Sequence, residues 1–190
     1  MSTGEIVVLV FALVAVGYVV MLYNGLVTLK HNATKAWANI DVLLKQRAEE
    51  LPKLVETCKQ YMAHEKDTLE RVIKARAAVS SASSAGDVAA VGTAETELRA
   101  LVGRLFAVAE SYPDLKANET FRHLQSRITQ LEYSIADRRE FYNESVNANN
   151  VRIEQFPDVM VARAFAFGPA QLFEISAAER KDVDLKAMFR

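Results

Sequence analysis

The stretch that decides the fold is IVVLVFALVAVGYVVMLYNGLVTL, residues 6–29, which carries no charged side chain. As a helix it would be about 36 Å long, enough to cross the roughly 30 Å of bilayer hydrocarbon with some tilt. A buried helix of a soluble core usually keeps polar residues on one stripe, and this run has none for about five turns. A cleaved signal peptide would need Lys or Arg ahead of a shorter apolar core, then a small-residue cleavage site. Here Met1-Ser2-Thr3-Gly4-Glu5 precede the run, with an acid rather than a base, and no A-x-A site closes it. The run therefore reads as a retained transmembrane anchor.

The flanks of the anchor predict its orientation. Its N-terminal side has no Lys or Arg, whereas Lys30, Lys35, Lys45 and Arg47 lie beyond its C-terminal end, with His31 beside them. The positive-inside rule then places the N-terminus outside and the rest of the chain in the cytoplasm.

The remainder of the 190 residues is one domain of ordinary size, long enough to bury a core. Gly and Pro are scarce, and Ala, Leu, Val, Glu, Lys and Arg dominate, a composition that favours helix. A net charge of −1, with no basic stripe, gives nucleic acid nothing to bind. Cys58 is the single cysteine, so no internal disulfide can form.

No turn signal separates the anchor from residues 30–49. Leu29, Ala33, Ala36, Ile40, Leu43 and Arg47 are spaced 4-3-4-3-4, a heptad seam that Trp37 and Leu44 widen into a face. The spacing predicts one helix over about residues 5–49, with Gly25 as a point where it can bend. Pro52 is expected to end it and to open a second helix bearing Val55, Cys58, Met62, Glu65, Leu69, Val72 and Arg76. SSASSAGD, residues 80–87, reads as a loop, with Asp87 capping a third helix that runs to about Ser111. That helix carries Leu98, Leu101, Val102, Leu105, Phe106 and Ala109 at helical spacing. Asn118 is the expected cap of a fourth helix, with Phe121, Leu124, Ile128, Leu131 and Ile135 on its stripe. The same register continues into Arg138, Tyr142, Ser145 and Asn149 until Phe156-Pro157. VMVARAFAF, residues 159–167, is too short to decide between a strand and a docked segment, and residues 177–190 form a last helix or a frayed tail. The fold class is thus all-α: an N-terminal transmembrane helix continuous with an antiparallel bundle of about four long helices. Its parts are an anchor (1–29), a bundle (30–156) and an apolar segment with a tail (157–190).

These residues resemble a known family. Asn32, the run 36–45 (AWANIDVLLK), Arg47 and residues 51–55 (LPKLV) look like the signature of the LemA family. The similarity continues through Tyr61, His64-Glu65, Ala75-Arg76, residues 112–117 (YPDLKA), Phe121, Leu124-Gln125, Glu132, Ile135, Arg138-Arg139, Tyr142-Asn143, Asn149, Phe156-Pro157, Phe165 and Phe173-Glu174. It covers essentially the whole chain. One departure is Lys53, where many relatives carry Asn. The resemblance implies a single-pass protein of the bacterial cytoplasmic (inner) membrane with a helical-bundle domain. It does not imply an enzyme. The same family contains a magnetosome-formation protein, which implies work on membranes or on assembly, by analogy.

Nothing in the residues points to catalysis, a cofactor or a metal. His31, His64 and His123 lie far apart, and His64-Glu65 are adjacent, so they face different sides of a helix. Cys58 lies on an apolar stripe without a His at helical spacing, as a buried small hydrophobe does. The seven glycines form no phosphate loop. The polar residues at core-like positions are more informative: Asp41, Arg47, Arg76, Arg138 and Arg139, with Glu65 and Glu132 able to oppose them, then Asn143, Asn147, Asn149 and Asn150. They form either ordinary surface ion pairs or a buried network that fixes helix register. Two function classes are compatible with this pattern. In one, the bundle self-associates on the lipid bilayer as a homo-oligomer that organises or remodels membrane. The seam, the small residues Ala12, Ala15 and Gly17 of the anchor, and the apolar 159–167 segment all favour it. In the other, the bundle is an accessory or scaffold module for another membrane protein, such as a protease or sensor kinase.

Overall fold

Residues 6–29 pass into the apolar seam without a breaker, and the backbone continues as one helix. The computed structural model describes residues 2–174, and in it α1 spans Thr3–Lys59. Then come α2 (Lys66–Ala85), α3 (Val88–Ala109), the short α4 (Pro113–Ala117), α5 (Glu119–Glu154) and the short α6 (Asp158–Ala164). Four of these helices are long, and no strand occurs among the described residues, in line with the all-α expectation.

Two expected boundaries are corrected. Pro52 starts no second helix but lies inside α1, which continues to Lys59. A proline within a helix removes the N–H that the carbonyl four residues back would accept. That carbonyl belongs to Ala48, and Arg76 Nε supplies the missing donor at 2.9 Å. The chain turns instead at residues 60–65, where the Met62 N–H donates to the Cys58 carbonyl at 2.8 Å and the Met62 side chain is buried. Residues 80–85 are likewise not a loop but the last turns of α2. Two of their serines find acceptors within that helix or on α1: Ser84 Oγ donates to the Ser80 carbonyl at 2.9 Å, and Ser83 Oγ to Asp41 Oδ1. The break shrinks to two residues. Gly86 takes the left-handed conformation (φ 70°) that ends α2, and Asp87 Oδ1 accepts the Ala90 N–H at 2.9 Å to begin α3. Asn118 caps α5 as expected, its Oδ1 accepting the Phe121 N–H at 3.0 Å.

The chain divides into two compact units. One comprises Asn39–Arg139 and the segment that begins at Phe173. Its core is built from Ile40, Leu51 and Leu54 of α1, Leu69 and Val72 of α2, Leu98 and Leu105 of α3, and Phe121 and Ile128 of α5, all buried. Burying each such side chain contributes about 1.5–3 kcal/mol. Phe173 is buried here too, and Gly92 of α3 makes room for the backbone just after it: a Cβ at position 92 would lie 2.2 Å from the Glu174 carbonyl oxygen.

The other unit comprises Met1–Ala38 and Glu140–Leu172. Of the charge-free run 6–29, only Leu22 and Leu26 are buried. Val161 and Ala162 of α6 cover them, together with Ile153 of α5 and Phe167. The 159–167 segment therefore docks on its own chain and is helical as far as Ala164. The residues after it are held on α5. Asn150 pairs with Ala170 in both directions, donating from Nδ2 to its carbonyl (2.9 Å) and accepting its N–H at Oδ1 (2.8 Å). The Tyr142 hydroxyl donates to the Gln171 carbonyl at 2.7 Å, and its ring lies 5.4 Å from that of Trp37. The tail 177–190 lies outside the described residues.

Candidate functional site

The seam of α1 that holds Ile40 and Leu44 places Arg47 at the next core position, one turn before Leu51. On α3, Val91, Glu95, Leu98, Val102, Leu105 and Ala109 are all buried and spaced 4-3-4-3-4, so Glu95 also occupies a core position. Glu132 stands on α5 beside the buried Leu131. These three helices bring the three charges together. Arg47 Nη2 donates to Glu95 Oε1, and Arg47 Nη1 donates to Glu132 Oε1 at 2.5 Å. Arg99, on the exposed side of α3, sets its Nε 3.8 Å from Glu132 Oε2 and closes the cluster with a second cation.

Arg47 is 1 % exposed, so the cluster carries a desolvation cost that its geometry must offset. Burial pushes the guanidinium's pKa down, but the two carboxylates outweigh this and hold it above its ordinary value. Burial pushes the Glu95 carboxyl up. Arg47 offsets that only in part, because Glu132 shares the same guanidinium and repels Glu95. Among the described residues, Arg47 Nε is the one buried side-chain polar atom with no hydrogen-bond partner. The arrangement offers no nucleophile. What it does is specify register: this pairing of α1, α3 and α5 sets both carboxylates on the buried Arg47, and moving any of the three helices by a residue would leave a buried charge without its partner. The buried-network alternative thus holds at Arg47 and Glu132. Glu95 and Arg99 were not among the expected partners; the signal for Glu95 lay in its stripe, which starts at Val91.

The other core-like polar residues do not join this cluster. Asp41 is half-buried and pairs with Lys45 at 2.6 Å; burial pushes its carboxyl up, but the hydrogen bonds from Lys45 and Ser83 win and hold it below its ordinary value. Arg76 serves the Ala48 carbonyl, and Glu65 accepts from Thr68 Oγ1 at 3.4 Å. Arg138 and Asn147 are exposed, while Arg139 and Asn143 are half-buried. Asn149 is buried and donates to Asn150 Oδ1 at 3.2 Å. His31, His64 and His123 are all exposed. Cys58 is buried, and burial alone pushes its thiol up to about 12, which suits packing and not nucleophilic attack. Among the described residues no three His, Cys, Asp or Glu side chains are placed to hold a metal ion.

A second feature of the bundle is an open groove of about 610 Å³. Val55, Met62, Leu69 and Ile73 give it an apolar lining, to which Lys59, Lys66, Lys74 and Glu70 add charge.

Known proteins resemble this chain along most of its length. Magnetosome protein MamQ 2 of Paramagnetospirillum magneticum is 24 % identical over 192 residues, covering 88 % of this chain and 71 % of its own. Protein LemA of Metamycoplasma hominis is 25 % identical over 182 residues, covering 93 % and 81 %. Residues 36–186 match the LemA family as a whole, a span that holds Arg47, Glu95 and Glu132. With its exposed apolar helix this is a membrane-associated helical protein, and it belongs to the LemA family.

Proposed function

We propose that the chain is a single-pass protein of the bacterial cytoplasmic membrane, its bundle on the cytoplasmic side, which self-associates to organise or remodel that membrane. One observation carries this reading. Residues 6–21 of α1 expose their apolar side chains on every face, with Ala12, Ala15 and Gly17 among them. An uncharged helix exposed all round is at home in lipid, and small residues on it let two such helices approach closely. Other motives for self-association are used within the chain: Ala33, Ala36, Ile40, Leu44 and Arg47 of the seam are buried, and α6 covers Leu22 and Leu26. The contact between copies therefore falls to the anchor. Similarity to a magnetosome protein supports a role in membrane organisation. Arg47 is consumed in an ion-pair cluster, so the exposed Lys30 and Lys35 carry the positive-inside signal. The test is reconstitution of the full-length protein into vesicles at rising protein-to-lipid ratio. Vesicle shape should change with the intact protein, and vesicles unchanged at every ratio would contradict the reading.

The accessory-module reading is favoured by the groove. An apolar lining that also carries three lysines against one glutamate, Glu70, suits an amphipathic helix with acidic flanks on another membrane protein. Ile73→Glu, at the half-buried edge of the groove, should abolish capture of such a partner and leave vesicle shape unaffected.

A further inference from the structure

The site of α6 on α1 has a depth. At about 1.5 Å per residue, Leu22 and Leu26 lie about 24 Å and about 30 Å beyond Ile6 along the helix. The hydrocarbon core of a bilayer is about 30 Å thick, so the residues that hold α6 stand where a span beginning at Ile6 leaves it. Around that level the chain gathers aromatic rings. Tyr23 meets Phe165 edge-on at 4.8 Å between ring centres and Phe167 at 5.6 Å. Of these three, Tyr23 has the polar tip and apolar ring that concentrate at this level of a membrane, and the two Phe rings pack against it.

The outer side of the same element is apolar. Val161 and Ala162 face α1, whereas Phe156, Met160 and Phe165 are 80, 64 and 57 % exposed. Its charges do not oppose lipid contact. Asp158, buried, is paired with Arg152 Nε at 2.5 Å, and Arg163 is exposed where an anionic headgroup could meet it. Water would leave three large apolar side chains wet beside a surface, Val19 to Met21, that is itself lipid-facing if α1 spans the bilayer.

We propose that residues 156–167 form a second membrane contact, an interfacial element that rests Met160 and Phe165 in the headgroup–acyl boundary beside α1. This rests on the reading of α1 as a membrane span. The exposed apolar run of α1 reaches Met21, and α6 is seated on Leu22 and Leu26 directly after it, so the bilayer, and not a soluble partner, is its occupant.

Spin labels on the full-length protein test this. Single cysteines are introduced as Val14→Cys, Met160→Cys, Phe165→Cys and, as an exposed bundle control, Tyr133→Cys; the buried Cys58 should take no label. The protein is placed in nanodiscs of phosphatidylethanolamine and phosphatidylglycerol, and collision with oxygen is compared with collision with a water-soluble nickel chelate. The proposal expects the oxygen-to-nickel ratio at both Met160 and Phe165 to be severalfold above that at Tyr133 and below that at Val14. A ratio at either position equal to that at Tyr133, with Val14 in lipid, overturns the proposal and leaves the span intact. A water-like ratio at Val14 overturns the span and the proposal together. Labels at Met160 and Phe165 that are immobilised and shielded from both reagents would mean that protein covers the face, which also overturns it.

Discussion

Arg76 Nε donates to the Ala48 carbonyl at 2.9 Å, and Ala48 stands four residues before Pro52. One side chain of α2 thus stands in for the backbone donor that proline lacks, and α1 runs through a residue that ordinarily ends a helix. Arg76→Met keeps the stem and removes the donor, leaving the Ala48 carbonyl without a partner, at a cost of about 1–3 kcal/mol. Pro52→Ala restores the N–H, so the arginine substitution should cost less in that background. Thermal unfolding of the four proteins of the cycle measures the difference. Equal losses with and without Pro52 would show that Arg76 does not serve the interrupted helix.

Arg47 gathers two carboxylates in the core, and removing it strands both. Arg47→Met should cost about 3–5 kcal/mol, roughly 10 °C in Tm for a chain of this size. Replacing all three partners, as Arg47→Met with Glu95→Leu and Glu132→Leu, should recover most of that loss, since no charge is then buried alone. A triple variant as unstable as the single one would mean that the cluster stabilises the fold outright.

Glu95 gives stability a pH dependence of definite sign. Its carboxyl is pushed above the ordinary 4.5 by burial, so between 4.5 and its folded value the folded chain holds a proton that the unfolded chain does not. Stability from this group therefore rises as pH falls through that window and is lost as pH rises above it. Asp41 works oppositely: held below its ordinary 3.8 by Lys45 and Ser83, it contributes above 3.8 and loses that contribution as pH falls through its folded value. Melting of wild type and Glu95→Gln between neutral pH and 4.5 separates the two. The Tm difference between the proteins should shift in favour of wild type toward acid, and a difference constant across that range would contradict the burial of a charged Glu95.

Sequence periodicity carries most of the fold because long helices with one buried face announce themselves. The seam at Ile40 and Arg47, the stripe from Phe121 to Ile135 and the caps at Asp87 and Asn118 stand where local pattern places them. Pro52 and Ser83 mislead for a common reason. Local preference marks each as a break, while its actual satisfaction comes from elsewhere: Arg76 is 28 residues from Ala48, and Ser83 bonds Asp41 42 residues away. Glu95 is hidden because an acid between Ala94 and Thr96 looks like a solvated face until its spacing from Val91 and Leu98 is counted. The place of 159–167 depends on which face of α1 the chain covers, and no run of nine residues encodes that.

The most direct test of self-association is the mass of the intact protein. The truncated comparison must end before Leu22, because Leu22 and Leu26 hold α6; removing residues 2–20 spares that contact and takes away Ala12, Ala15 and Gly17. Light scattering on both proteins in a mild detergent, across micromolar concentrations, reads their masses. The full-length chain should show a multiple of the monomer mass and the truncated one the mass of a monomer. A full-length protein that stays monomeric throughout would contradict it and leave the accessory-module reading.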